Sequence, residues 1–395
     1  MRLVLAALPL LLFAAPGLAQ RTWIVDAANG PGTDFADLPP AVQAANPGDL
    51  VLVRTGTYSA FVTAKGLRIV AVAPAILVPG TTGLNLAVAG LPSGQTLVIH
   101  GFEAPRRQPL RAEIANAAGT VVLSALRAVE TCGCGPLRQN PPSIQITDCA
   151  RVILDACVDY GGPAVSAARS SVILTRCQLG VLSPSDPMGD CLLVDGGTVE
   201  VVDSRLDGRA ASDAQGVPQP AVRVLAGSLV LRGTSAAFVQ GGYEVAPQNP
   251  APAIRATGGA LVLDPDVALN PQAGQAVALF VQGAQVTRRQ LGAALVRSAG
   301  LGGVLQAELV AVPGAPAGLL LALPGAPQVL AFGTLHLDLG ATLPLAFGTA
   351  SAAGLLAGAV PIPGSLPHGL VLAVQGVSDL GAGLELSSPA LVPLR

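Results

Sequence analysis

The sequence predicts an all-β protein: a right-handed parallel β-helix (solenoid) with an N-terminal helical cap, followed by a small β-sandwich domain. Three observations lead there. Composition is apolar but turn-rich, with 51% hydrophobic residues, 12% charged, 47 Gly and 34 Pro in 395 residues. Such a chain can bury a core, unlike a disordered one of similar Gly and Pro content, and it carries too little Lys and Glu for a helical one. Short apolar segments recur through the middle of the chain. After about residue 287 that recurrence gives way to a different turn-rich pattern.

The recurrence is the strongest signal. Leu97-Val98-Ile99, Val121-Val122-Leu123, Val152-Ile153-Leu154, Val172-Ile173-Leu174, Val199-Glu200-Val201, Leu229-Val230-Leu231 and Leu261-Val262-Leu263 begin 24, 31, 20, 27, 30 and 32 residues apart. A period of this size with irregular insertions marks a solenoid. Eight residues before five of these segments lie Ile144, Ala164, Cys191, Ala221 and Ala253, each opening a short strand of its own. Each coil therefore reads strand, tight turn, strand, variable loop. One such pair of strands cannot bury its apolar side chains alone. Coils stacked about 4.8 Å apart line them into interior ladders, and loops of variable length bulge from one corner.

The organisation along the chain follows. Residues 1–19 read as a signal peptide: Arg2, an apolar run from Leu3 to Ala15, then small residues before a cleavage site after Ala19. We expect residues 20–282 to form the β-helix, with a cap at 22–61, and residues 287–395 the C-terminal β-sandwich module. In the cap, Trp23-Ile24-Val25 is a strand and Asn29-Gly30-Pro31-Gly32 a turn. Asp37 is the expected N-cap of a helix reaching Ala45, with Pro39 and Pro40 tolerated in its first turn. In the C-terminal part, Pro313-Gly314, Pro324-Gly325 and Pro363-Gly364 punctuate short strands. Three roles compete for it: a cap on the last coils, a sorting or attachment module, or a carbohydrate module. It offers only Phe332 and Phe347 for stacking on sugars, which favours the first two.

The run from Trp23 to Phe61 resembles the N-terminal cap of secreted bacterial pectate-lyase-like β-helix proteins. Those share a strand, a Gly-rich turn, an Ala-rich helix, Gly-Asp before an apolar strand, and Pro-Gly-x-Tyr. This chain keeps Gly48-Asp49 and Gly56-Thr57-Tyr58, with Thr55 where the family often has Pro. Together with the repeats the resemblance covers residues 22–282. It implies the fold more than an activity, because many members are surface proteins without known catalysis.

A net charge of −2 excludes a basic field for nucleic acid or anionic lipid. After signal cleavage no transmembrane segment is expected, since the apolar stretch 353–374 is cut by Pro361, Pro363 and Pro367. The six cysteines fall between Cys132 and Cys191. In an exported protein they suggest local disulfides. Cys157 and Cys177 share one phase, five residues after Val152 and Val172, and form either an interior thiol ladder or a disulfide. Cys132, Cys134, Cys149 and Cys191 are the other disulfide candidates, and a lone Cys132-Gly133-Cys134 does not make a zinc site.

Catalysis on such a fold needs a base with Ca²⁺-binding carboxylates, or a pair of carboxyl groups. The densest acidic region supplies Asp155 and Asp203, with Arg176 and Arg205 nearby, as candidate catalytic residues. Asp159 and Asp207 are candidate Ca²⁺ ligands. The alternative is turn aspartates and solvated arginines. His100, His336 and His368 read as structural, His336 as an outward strand residue. No cofactor is required by any motif; Ca²⁺ is the one ion the aspartates suggest. We therefore expect a secreted or cell-surface protein with a structural, adhesive or glycan-binding role, its partner an extracellular polysaccharide or cell-envelope component. A polysaccharide lyase or glycoside hydrolase is the alternative.

Overall fold

A computed structural model describes residues 21–105, 110–128, 142–159, 163–180, 190–208, 217–233, 237–242, 250–270, 278–381 and 383–394. The proposed signal peptide, Cys132 and Cys134 lie outside these residues. The regular structure of the described chain is nearly all strand, and its larger part is a stack of coils joined by parallel pairing only.

Three parallel ladders run the length of the stack. Ladder A joins Phe61–Thr63, Leu86–Ala89, Ala112–Ala115, Ile144–Thr147, residues 165–168, 192–195 and 222–224, Ile254–Ala256 and Leu279–Val281. Ladder B holds all seven segments of the sequence repeat. Leu97, Val121, Val152, Val172, Val199, Leu229 and Leu261 stand in one register column, each at most 1% exposed. Ladder C has short strands, through Gly56–Tyr58, residues 75–77 and 102–103, Arg127–Ala128, Val158–Asp159, Gln178–Gly180, Arg205–Asp207, Phe238–Gln240 and Ala268–Leu269.

The corners explain the irregular period. From ladder B to ladder C six successive coils each turn through one left-handed residue: Gly101, Ala125, Ala156, Arg176, Asp203 and Gly233. Side chains other than Gly tolerate positive φ poorly, so the corner is held by stacking rather than by local preference. The corner from C back to A takes the long insertions, which is why loop length varies while the ladders keep step. Ladder A differs from the sequence expectation by one residue. Ile144 pairs with Val165, and the column continues through Leu192, Val222 and Ile254. The turn from Ile144 to Val152 is one residue longer than its counterparts, so a fixed eight-residue offset from Val172 lands one residue early, on Ala164.

At the N-terminal end Thr22–Val25 pairs with Leu50–Val53, and helix Leu38–Ala44 lies beside it. The cap-like motif is a set of polar bonds. The Asp49 carboxylate accepts from Arg21 N, Trp23 Nε1 and Asn46 N at 2.9–3.0 Å. Burial alone would raise its pKa, but these donors outweigh that and hold it below the ordinary value. Tyr58 Oη donates to Arg54 O and accepts from Ala27 N. Asp37 accepts from Leu38 N and Ser59 N. Lys65, the one lysine of the chain, donates from Nζ to Val42 O, Gln43 O and Ala45 O at 3.1, 2.7 and 2.8 Å. It thereby satisfies the unpaired carbonyls and the negative dipole end of the helix.

Residues after 290 form antiparallel sheets. Ala293–Ser298, Val304–Val310 and Leu355–Pro361 make one sheet; Leu343–Thr349, Pro316–Ala322, Val371–Asp379, Leu384–Leu386 and Ala390–Pro393 make another. They share an apolar core of Leu305, Leu309, Leu319, Val374, Val392 and neighbours.

Replacing Lys65 with Met leaves the three helix carbonyls without their donor. We predict a loss of about 1.5–3 kcal/mol, the usual contribution of charge-assisted bonds. Denaturant unfolding checks it, and a loss below about 0.5 kcal/mol, the level of an ordinary surface change, contradicts it.

Candidate functional site

The three ladders present three outer faces, and their chemistry differs. On ladder B the outward residues Val98, Val122, Ile153, Ile173 and Val202 are buried, at most 4% exposed. The C-terminal sheets cover them. Ala293, Leu295, Ala322, Leu335, Leu337, Val371, Ala373, Leu386 and Leu391 complete one apolar cluster with this strip. Over the coils from Val98 to Ile173 the middle of ladder B is thus apolar on both sides.

Polar side chains clamp this contact. Arg151 Nη1 donates to Gly325 O at 2.9 Å. Burial lowers the Arg151 pKa to about 10, still cationic at neutral pH. Arg176 pairs with Asp155 through Nη2–Oδ1 at 2.6 Å and Nε–Oδ1 at 3.1 Å, while its Nη1 donates to Val296 O at 2.8 Å. Ser124 Oγ donates to the other Asp155 oxygen. Arg232 pairs with Glu200, donates to Gly292 O at 3.1 Å, and reaches Glu385, which also pairs with Arg289. Arg297 pairs with Glu308 at 2.7 Å and comes within 3.9 Å of Asp203.

Two of the candidate catalytic residues therefore act here. Asp155 and Arg176 are ion-paired with each other and tied to the C-terminal sheets, and Asp203 lies near Arg297 of those sheets. They do not form a column. Asp155 is a strand residue paired with Thr175 and followed in register by Val202. Asp203 is a left-handed corner residue, φ 45°. Arg205 is on ladder C, exposed, its guanidinium carbon 5.9 Å from the Phe238 ring centroid. Asp159 pairs in register with Leu179, and through it with Leu206, both core residues. Asp207 pairs with Gly180 and Gln240 instead. The two proposed Ca²⁺ ligands are one register position apart, and no group of three or more His, Cys, Asp or Glu side chains that could hold a metal occurs among the described residues.

The cysteines are interior. Cys149, Cys157 and Cys177 are buried thiols, Cys191 is buried with them, and no disulfide joins described residues. Of the two readings of Cys157 and Cys177 the structure has the thiol ladder. The hydrogen bond that the Cys157 thiol donates to Cys177, together with full burial, pushes the Cys157 pKa well up, so it is no nucleophile at neutral pH.

His336 is not an outward solvent residue. It sits between the two parts of the chain. Burial, reinforced by the cations Arg151 and Arg232, lowers its pKa to about 3. His100 is buried at the end of its ladder B strand, next to Ser124.

Ladder A is the open face. Its outward column reads Val62, Ala87, Glu113, Gln145, Ser166, Leu193, Arg223, Arg255 and Phe280. In its last three coils lies a cluster that sequence inspection passed over. Asp190, 8% exposed, pairs with Arg223: Oδ2 is 2.9 Å from Nε and Oδ1 accepts from Nη2 at 3.2 Å. Gln219 Oε1 takes a second Nη2 bond at 3.1 Å. Arg255 is the register neighbour of Arg223, and its guanidinium carbon is 5.6 Å from the Phe280 ring centroid. Burial raises the Asp190 pKa to about 6, against the pull of Arg223 and Arg255. The available signal was the repeat itself: Arg223, Arg255 and Phe280 follow Val222, Ile254 and Leu279 in one phase.

Two outcomes follow from the clamp. Arg232→Ala strands Glu200 in a shielded contact and leaves Glu385 with Arg289 alone, and we predict a cost of about 3 kcal/mol in unfolding free energy; a cost near zero contradicts the clamp. His336 has a folded pKa below its unfolded value near 6.5. It costs nothing above that pH, and destabilises progressively as pH falls from about 6.5 towards 3. His336→Gln should remove that part of the acid sensitivity, read as Tm against pH, and an unchanged profile contradicts the assignment.

No family model matches the chain, and no curated protein matches it. Among solved structures, the chain is similar to the enzymatically active domain of tailspike protein 2 of bacteriophage CBA120. The TM-score is 0.37 and the identity 10%, over 87% of this chain and 72% of that one. At that level the likeness carries no argument about site or activity.

Proposed function

We propose that the protein is a non-catalytic, secreted or cell-surface right-handed β-helix with a structural or adhesive role, holding an extracellular polysaccharide or cell-envelope component against its open face. The observation that carries this reading is the use made of the candidate catalytic groups. Asp155 and Arg176 neutralise each other and fasten the C-terminal sheets, so no free base or carboxyl pair faces a substrate there. A rigid stack closed at its N-terminal end by the helix, and along one side by a sandwich-like module, suits a scaffold. In the module Phe332 and Phe347 are exposed at 38% and 66%, but two rings make a poor sugar platform, so packing of the β-helix is its first role. Export through residues 1–19 belongs to the same reading.

A polysaccharide lyase or glycoside hydrolase remains the second reading, because Asp190 has a carboxyl group with a raised pKa beside an arginine on the open face. The mature protein, incubated with a panel of uronates and neutral glycans with and without Ca²⁺, separates the two. We predict no unsaturated product and no new reducing ends. Either product, abolished in Asp190→Asn, overturns the non-catalytic reading. N-terminal sequencing of the exported protein should begin at Gln20.

A further inference from the structure

We propose that Arg223, Arg255 and Phe280 form a binding site on ladder A for an oxyanion carried on a sugar ring, a carboxylate or a sulfate, and that Asp190 is its built-in competitor. The inference rests on the glycan-holding reading above and names the ligand class of the same face.

The geometry supplies the parts. Arg223 and Arg255 are register neighbours on consecutive coils, so their outward side chains leave the backbone about 4.8 Å apart. That spacing lets two guanidinium groups flank one oxyanion, and planar guanidinium forks suit carboxylate and sulfate oxygens. Arg255 makes no hydrogen bond or ion pair among the described residues, and its Nε is buried without an acceptor. A buried donor without an acceptor is costly, so the site gains from a ligand that supplies one. Phe280, next in the column and 48% exposed, holds the Arg255 guanidinium against its ring and leaves an apolar flank for the ligand's ring.

Asp190 is the only carboxylate paired with either arginine among the described residues. One carboxylate faces two guanidinium groups, so the cluster keeps a net positive charge. The charged groups acting on Asp190 are Arg223 of its neighbouring coil and Arg255 of the next; neutral Gln219 shares Arg223. Above pH about 6 the ionised Asp190 holds Arg223 and competes with an incoming oxyanion. Below that pH it is neutral and releases Arg223. Ligand carboxylates with ordinary pKa near 4, and sulfates, stay charged at pH 5.5. Affinity should therefore rise as pH falls.

The test is calorimetric titration of the full mature chain with a glucuronate oligosaccharide, a sulfated oligosaccharide, a neutral oligosaccharide of equal length, and inorganic sulfate. We expect one or both charged oligosaccharides to bind at least about ten-fold more tightly than the neutral one, and to bind more tightly at pH 5.5 than at pH 7.5. The pair of arms tells carboxylate from sulfate, and weak binding of inorganic sulfate supports the ring contact. Arg255→Gln should weaken binding about ten-fold, the scale of one charge-assisted bond. Asp190→Asn should bind tightly at both pH values. Phe280→Ala, at an exposed position of the last coil, should weaken the oligosaccharides and spare inorganic sulfate; it serves as the probe should an arginine variant fail to fold. Equal binding of neutral and charged oligosaccharides, no loss in Arg255→Gln or Phe280→Ala, or a pH dependence that survives in Asp190→Asn overturns the proposal. Neutral binding without anion preference overturns only the ligand class and leaves the glycan-holding role. Product formation overturns the non-catalytic role and leaves the anion site.

Discussion

Burial of ladder B on both sides is the constraint on which the rest depends. A coil of a solenoid buries one side of each strand by itself, against the interior. Here the outer side of one ladder is also apolar, and Val98, Val122, Ile153 and Ile173 need a cover. The C-terminal sheets provide it. Full burial of an aliphatic side chain is worth roughly 1.5–3 kcal/mol, so a strip of five such residues outweighs any single ion pair around it. The clamp of Arg151, Arg176 and Arg232 has a different role. It satisfies carbonyls and carboxylates that the contact shields, and fixes where along the strip the sheets sit.

That constraint decides what each face is free to do. Ladder B cannot be a binding groove, because its outer side is spent on packing. Ladder A alternates, with Ile144 and Ile146 inside and Gln145 outside, and its outward column is exposed or half-buried. Its C-terminal coils gather Asp190, Arg223, Arg255 and Phe280 because stacking aligns residues some 30 positions apart in the chain. The N-terminal end is settled by polar bonds of Asp49, Tyr58 and Lys65 rather than by another coil.

Much of the architecture was legible in the sequence. The seven ladder B segments share one register column because Val, Leu and Ile at a fixed phase must face one interior. Asp49 and Tyr58 stood out in the sequence only as part of a family-like pattern; the polar bonds that each makes at the N-terminal end were not legible there. The cover of ladder B was also written there, and went unread: Val152-Ile153-Leu154 is continuous where Ile144-Gln145-Ile146 alternates, and continuity means burial on both sides. The aspartate column failed for a local reason. Counting from Val152 and Val199 places Asp155 and Asp203 near one another, but the first ends a strand and the second makes the corner, and one residue of offset changes the direction of the side chain. His336 was misplaced because its surroundings come from Arg151 and Arg232, more than 100 residues away in the chain.

The apolar strip holds both parts of the chain as one unit. Calorimetric unfolding of the full chain with Ile153→Asp tests that most directly, since this side chain is fully buried and points away from the coil interior. An uncompensated buried charge there should cost about 3–5 kcal/mol. The wild type should unfold in one transition, and the variant should lose that unity, with the C-terminal sheets melting below the β-helix. A variant that keeps a single transition at the wild-type Tm would contradict it.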